Sequence, residues 1–387
     1  MSTSTSPDAG LDRDSLRDRL PSLTGVRFYA AMSVAALHLL YTQSIFADPS
    51  LQFAFGATIP LATSAVSVFF VISGFVLTWS ARSADTAPLF WRRRLVKIFP
   101  NHVVTWVLAM VFLVLYGAQS HMIGMSSTIH WDASVANLFL LHAWVPSPDY
   151  INSANSPVWS LACELFFYLL FPALYRMIKK IPRGRLWWWA GGTTLVSLAV
   201  PCVAGLLKSP VLAPELPVPT LQLWFGYILP LTRLPEFVLG MLLAVIVGEG
   251  LWRPKRARYA VLTLVAFMVV SLLLPPIFLF GPFYAAPAGV LVATLATRDV
   301  RALPSHLRSR LMIFLGDRSF ALYMSHFVVI AFARQLLLPD DGLDVGSAVL
   351  ALTLVVLPLV LLAPCLLFAW VERPLYRRFA SPRSDPA

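Results

Sequence analysis

An all-α bundle of about ten membrane-spanning helices is the fold class this sequence predicts, and three observations predict it. Of the 387 residues, 58% are hydrophobic and only 13% charged, where a soluble domain carries roughly 25% charged residues. Apolar runs long enough to cross a ~30 Å hydrocarbon core recur along the chain. The basic residues fall almost entirely in every second connection between those runs, the alternation that the positive-inside rule produces. Together these exclude a disordered chain, a secreted disulfide scaffold and an ordinary cytosolic enzyme. The net charge of +11 would suggest nucleic acid only if the basic residues formed a stripe with interleaved aromatics, and they do not.

The runs occupy approximately 26–44, 59–80, 98–117, 157–176, 187–207, 221–247, 259–274, 276–297, 311–333 and 345–371. With the N-terminus in the cytosol, the inner segments hold 26 of the 30 basic residues, including Arg92–Arg94, Lys179–Lys180 and Arg377–Arg378. The outer loops hold Lys208 and Arg334, and Arg233 and Arg318 lie inside apolar runs. Both termini are therefore expected in the cytosol, and the chain in the cell membrane. Residues 1–21, polar and rich in Ser and Asp, read as a disordered tail without the apolar core of a signal peptide. Residues 22–379 form the membrane domain, and 380–387 a second cytosolic tail. The longest outer loop, about 118–156, carries a semi-apolar stretch from Val135 to Trp144 that suits the interface. Cys163, Cys202 and Cys365 stand apart within spans, so neither a disulfide framework nor a zinc pattern is expected.

Ionisable groups at mid-bilayer are costly and mark function by default. His38 lies eleven residues beyond Arg27, about 16 Å along a helix. His326 lies sixteen residues past Arg310, about 24 Å along its run, and both runs cross in the same direction, so the two rings are expected at similar depth. Glu164, twelve residues before Arg176, is about 18 Å from the inner end of an oppositely directed run. The plain alternative for each histidine is a hydrogen bond to a neighbouring helix. Arg233 and Glu236, three residues apart, are expected to neutralise each other, and Cys163 reads as a small packing residue. His102, His121, His130 and His142 have no metal-site spacing and carry no assignment. The basic run Phe90–Pro100 opens the third span. Topology and anionic lipid explain it in part; the sharper reading is a phosphate site, because Arg94 and Lys97 share a helical face and Arg27 enters the membrane at the same level.

Several phrases, in order, carry a resemblance. They are Leu23-Thr24-Gly25-Val26-Arg27-Phe28-Tyr29 reaching His38, Ser67 to Phe75, and the basic run into Pro100. Trp159 to Tyr168, Arg233-Leu234-Pro235-Glu236-Phe237 with Gly240, Leu315-Gly316 through His326, and Glu372-Arg373-Pro374 complete the series. From about residue 20 to 379 the chain resembles the acyltransferase-3 family of integral membrane O-acyltransferases. It departs from the family pattern at Thr24, where many members carry an acid, and at Lys97, where the third-span pair is usually Arg-x-x-Arg.

The resemblance implies acyl transfer from a cytosolic thioester, usually acyl-CoA, to a hydroxyl, with no metal. Hydroxyls are poor nucleophiles near pH 7, and a neutral imidazole is the usual base for their proton. His38 is then the base and Glu164 the group that orients or stabilises the imidazolium, as the third member of a triad does. His326 is a second polar group for the acceptor or the tetrahedral intermediate, and Arg27, Arg94 and Lys97 bind the donor phosphates. The Leu-Thr-Gly-Val-Arg-Phe-Tyr opening and the Ala/Leu/Arg/Pro-rich composition look like the actinobacterial branch that acylates the 3-hydroxyl of macrolide antibiotics. A sugar acceptor in a cell-surface polysaccharide or glycolipid is the alternative. A multi-span transporter or exporter is the non-enzyme alternative, and its signature of inverted repeats is not visible.

Overall fold

Proline starts four of the long helices, where its missing N–H costs nothing and its fixed φ suits the first turn. It does so in α1 (Pro21–Leu40), α2 (Ile59–Trp79), α3 (Ala87–Tyr116) and α6 (Pro230–Gly248). The bundle also contains α4 (Trp159–Ile178), α5 (Leu186–Ala204), α7 (Ala257–Ser271), α8 (Ala285–Val300), α9 (Arg310–Asp317) and α10 (Ser319–Leu337), with shorter helices in the connections. The last, α11 (Val345–Ala380), runs through two π-helical turns, Leu352–Val356 and Phe368–Glu372. A short antiparallel hairpin, β1 (Val211–Ala213) with β2 (Leu216–Pro219), connects α5 to α6. This computed structural model describes residues 20–380 apart from 44, 82–85, 118–122, 214–215, 254–255 and 340. The two expected tails and His121 therefore lie outside the described residues, except that Pro21 already belongs to α1 and Ala380 to α11.

The protein is an all-α polytopic membrane protein. Among the described residues, eight helices are long and apolar enough to cross a membrane, against the ten runs counted in the sequence. Prolines account for the difference. Pro275 and Pro276 end one run, and the 3₁₀ turns Pro276–Leu279 and Gly281–Tyr284 consume the start of the next. That leaves α7 with 15 residues and α8 with 16, about 22–24 Å each at 1.5 Å per residue. Likewise Leu229, extended at φ −60°, ψ 122° because it precedes Pro230, separates the π turn Trp224–Ile228 from α6. The run 311–333 also divides, at Arg318 between α9 and α10. Arg318 sits over the rings of Phe314 and Phe368 and donates to the Phe314 carbonyl at 2.8 Å. The charge that looked anomalous inside the run marks its break.

α2 is the most enclosed of the eight long helices, and it packs along α6. Two glycines allow that approach: a methyl at Gly74 would overlap the Phe237 carbonyl oxygen, and one at Gly240 the Val71 carbonyl oxygen. Small residues at helix crossings are how membrane bundles bring backbones together. Beside this crossing, Arg233 and Glu236 form a fully buried ion pair at 2.8 Å, with the guanidinium among Phe70, Tyr227 and Trp159. The start of α1 is pinned from 277 residues away, where Asp299 accepts from both the backbone N–H and the hydroxyl of Ser22 at 2.7 Å. Together with Gly25 against Leu307 and Gly316 against Thr24, this fixes α1 beside α9 and α10. On the outside, Val103, Val107, Val111 and Val114 leave an exposed apolar stripe along α3, a surface that suits lipid and not water.

Candidate active site

α1 carries Arg27 one turn into the helix and His38 near its other end, so the two residues face different chambers. The first is a cavity of about 150 Å³ lined by Arg27, by Arg94 and Lys97 of α3, and by Glu164 and Tyr168 of α4. The third-span pair thus joins the first-span arginine around one space. Arg94 lies over the rings of Phe90 and Tyr168 at 5.5 and 5.8 Å. Lys97 is ion-paired with Glu372 at the end of α11, and Asn101 holds the other oxygen of that carboxylate at 2.6 Å. Glu164 accepts a hydrogen bond from the Tyr168 hydroxyl at 3.0 Å.

The second chamber, about 140 Å³, is lined by His38 and largely by apolar side chains: Ala62 and Val66 of α2, Trp159 of α4, Leu212 and Leu216 of the hairpin, and Phe280. His326, from the second turn of α10, meets His38 with ring centroids 5.3 Å apart, and Phe327 closes on the same imidazole edge-on at 5.1 Å. His326 Nδ1 faces the carbonyl oxygens of Tyr323 at 2.7 Å and Leu322 at 3.3 Å. Carbonyls only accept, so Nδ1 carries the hydrogen, and in the neutral ring Nε2 holds the lone pair. That Nε2 is buried without a partner among the described residues, as is Nδ1 of His38. A buried pair of rings with unsatisfied nitrogens is a candidate for proton transfer, because such atoms normally find partners.

The six candidate residues therefore divide. Arg27, Arg94, Lys97 and Glu164 line the cation-bearing cavity; His38 lines the other, and His326 packs against His38 without lining either. Glu164 does not hydrogen-bond either histidine, and its partner is Tyr168. Two residues now in the site carried no sequence assignment. Glu372 was legible as an acid at the end of an apolar run, although its partner lies 275 residues away. Tyr323, whose hydroxyl accepts from Ser160 at 2.7 Å and donates to the Pro157 carbonyl at 3.1 Å, looks in sequence like any aromatic of an apolar helix. His102 donates its Nε2–H between two backbone carbonyls, Asn137 and Leu138, both at 3.1 Å, away from either cavity. His142 is fully enclosed in the long loop, where burial pulls its pKa down to about 3 and keeps it uncharged. No group of three or more His, Cys, Asp or Glu suited to a metal occurs among the described residues.

Comparison with known proteins gives the same outline. A family model described as an acyltransferase domain, the acyltransferase-3 model, matches residues 20–370. The chain is 41% identical over 364 residues to the acyltransferase MdmB of Streptomyces mycarofaciens, covering 93% of this chain and 92% of that protein. It is 23% identical to the O-acetyltransferase OatA of Staphylococcus aureus and 25% identical to the peptidoglycan O-acetyltransferase OatA of Listeria monocytogenes. Those two matches cover 82% and 83% of this chain but only 51% of each relative; the chain spans about half the length of the OatA proteins. No solved structure matches the chain.

Proposed function

Because the chain belongs to the acyltransferase-3 family, and is an acyltransferase of the membrane, we propose that it moves a short acyl group from acyl-CoA to a hydroxyl of a small apolar acceptor, best represented by the 3-hydroxyl of a macrolide. Family membership sets the exporter alternative aside. One observation carries the finer reading: a cavity ringed by three cations abuts an apolar cavity that holds His38. Phosphates of a coenzyme suit the first, through charge-assisted bonds from Arg27, Arg94 and Lys97. A hydroxyl carried on a largely apolar skeleton suits the second, whose lining is mostly apolar beside His38, Asn152 and a few hydroxyl side chains. The basic face is then the cytosolic one, in line with the positive-inside distribution.

In the proposed reaction His38 takes the proton of the acceptor hydroxyl as its oxygen attacks the thioester carbonyl carbon. A C–O bond forms, the C–S bond breaks, and the departing thiolate receives the proton to leave as the thiol. General-base assistance of this kind is worth roughly 10²–10⁴ in rate. His326 stands behind His38 with a free lone pair and holds that ring in its working orientation, or contacts the intermediate directly. Glu164 provides negative charge on the polar side of the dividing wall and stabilises positive charge that develops on the imidazole.

The experiment is product analysis by mass spectrometry of membranes containing the protein, supplied with acetyl-CoA and, in parallel, a macrolide bearing a free 3-hydroxyl or a cell-wall saccharide. A mass increase of one acetyl group on the macrolide supports the reading. Acetylation of the saccharide alone would replace it with the polysaccharide reading, and an inert protein with both acceptors would refute both.

A further inference from the structure

The two cavities back onto each other, and the side chains common to both linings are Val66 of α2 and Tyr323 of α10. The other lining side chains belong to one side or the other, so these two stand between an acyl group held over the cations and His38. Val66 is nearly inaccessible, at 2% exposure, and is β-branched, so its rotamer is stiff. Tyr323 is pinned at several points. Its hydroxyl joins Ser160 and Pro157, its ring meets Phe69 edge-on at 5.8 Å, and its backbone carbonyl holds His326 Nδ1 at 2.7 Å. A wall held in this way has a fixed width.

We propose that Val66 and Tyr323 form a rigid aperture between donor and acceptor cavities, and that its width determines which acyl chain is transferred. The inference rests on the acyl-CoA reading given above. The bond changes are those of that reaction, C–O made, C–S broken and the hydroxyl proton ending on the thiol; the aperture only decides which chain brings its carbonyl to the imidazole. Short chains pass, and longer ones are held back by contact with the Val66 methyls and the Tyr323 ring. The arrangement also accounts for a tyrosine whose hydroxyl is spent on structural bonds while its ring faces both chambers.

The test is a competition assay with equal acetyl-CoA and hexanoyl-CoA, reading the ratio of hexanoyl to acetyl product by mass spectrometry. Val66→Ala removes two methyls from the wall, and Val68→Ala makes the same change two residues along the same helix, at a buried position outside both linings. Val66→Ala is expected to raise the hexanoyl share about tenfold or more, the discrimination that a methylene or two carries in an apolar site, whereas Val68→Ala keeps the wild-type ratio. If Val66→Ala fails to insert, Val66→Leu narrows the opening and is expected to lower the hexanoyl share. An unchanged ratio in the Val66 variants, or an equal shift in Val68→Ala, overturns the aperture while leaving acyl transfer intact. No transfer by the wild type from either donor overturns the acyl-CoA reading and the aperture with it.

Discussion

Lys97 is committed in this structure to Glu372, a carboxylate only 3% exposed, even though it also faces the cavity proposed for phosphates. The two roles predict different consequences. Lys97→Ala strands Glu372 with Asn101 as its remaining partner, and removing one member of a buried pair costs roughly 3–5 kcal/mol. The variant should therefore lose thermal stability as well as donor affinity. The double variant Lys97→Met with Glu372→Gln removes both charges together. It is expected to regain most of the stability in detergent while the KM for acyl-CoA stays raised about tenfold, the worth of one charge-assisted contact. A double variant with wild-type KM would mean that Lys97 serves α3–α11 docking alone. Lysine in place of a forked guanidinium suits this double use, because one compact ammonium can shift between a carboxylate and a phosphate without breaking a bidentate geometry.

Among the elements, the α2–α6 crossing governs whether a site exists at all, since α2 supplies Val66 and part of both cavity linings. Gly240→Ala would drive a methyl into the Val71 carbonyl, and overpacking of this kind costs about 1–3 kcal/mol. Gly248→Ala on the same helix meets only the Trp79 ring, at 3.7 Å. The first is expected to lower the thermal midpoint in detergent and the second to leave it near wild type; equal behaviour would show that the crossing has slack. Hydropathy located these helices because burial in lipid demands long apolar runs, and the charge alternation marked their ends. It could not see that Pro230 and Arg318 each divide a run, or that the turns after Pro275 shorten α8, because the outcome depends on backbone geometry at single residues. Within the site, His38 with His326 was legible, since two ionisable groups at matching depth in apolar helices have little else to do. The division into two cavities was not. Glu164 and His38 look like partners when only depth is known, but azimuth around the bundle places the carboxylate beside Tyr168. Contacts between residues hundreds of positions apart, such as Lys97 with Glu372 or Ser22 with Asp299, leave no periodicity to read.

For the whole molecule, the net charge of +11 first suggests an anionic partner, yet most basic residues lie in connections and not in either cavity. The positive-inside rule would account for them if both termini face the cytosol, and orientation is measurable. In a background lacking Cys202 and Cys365, Gly184→Cys, in an open turn with nothing within 4 Å of a new side chain, is expected to react with a membrane-impermeant thiol reagent only after cells are opened. Ser127→Cys, exposed in the long loop, is expected to react in intact cells. The reverse pattern would put the cation cavity outside, where no cytosolic thioester reaches it.

In the proposed reaction acyl transfer depends on His38, which lines the chamber beyond Val66 and Tyr323. The most direct measurement of that dependence compares wild-type and His38→Ala protein, matched for membrane insertion, in turnover of acetyl-CoA with the macrolide acceptor. The account predicts a loss of at least about 100-fold in kcat with the KM for acyl-CoA little changed, because His38 lines the acceptor chamber and not the cation cavity. Wild-type turnover in His38→Ala would contradict it.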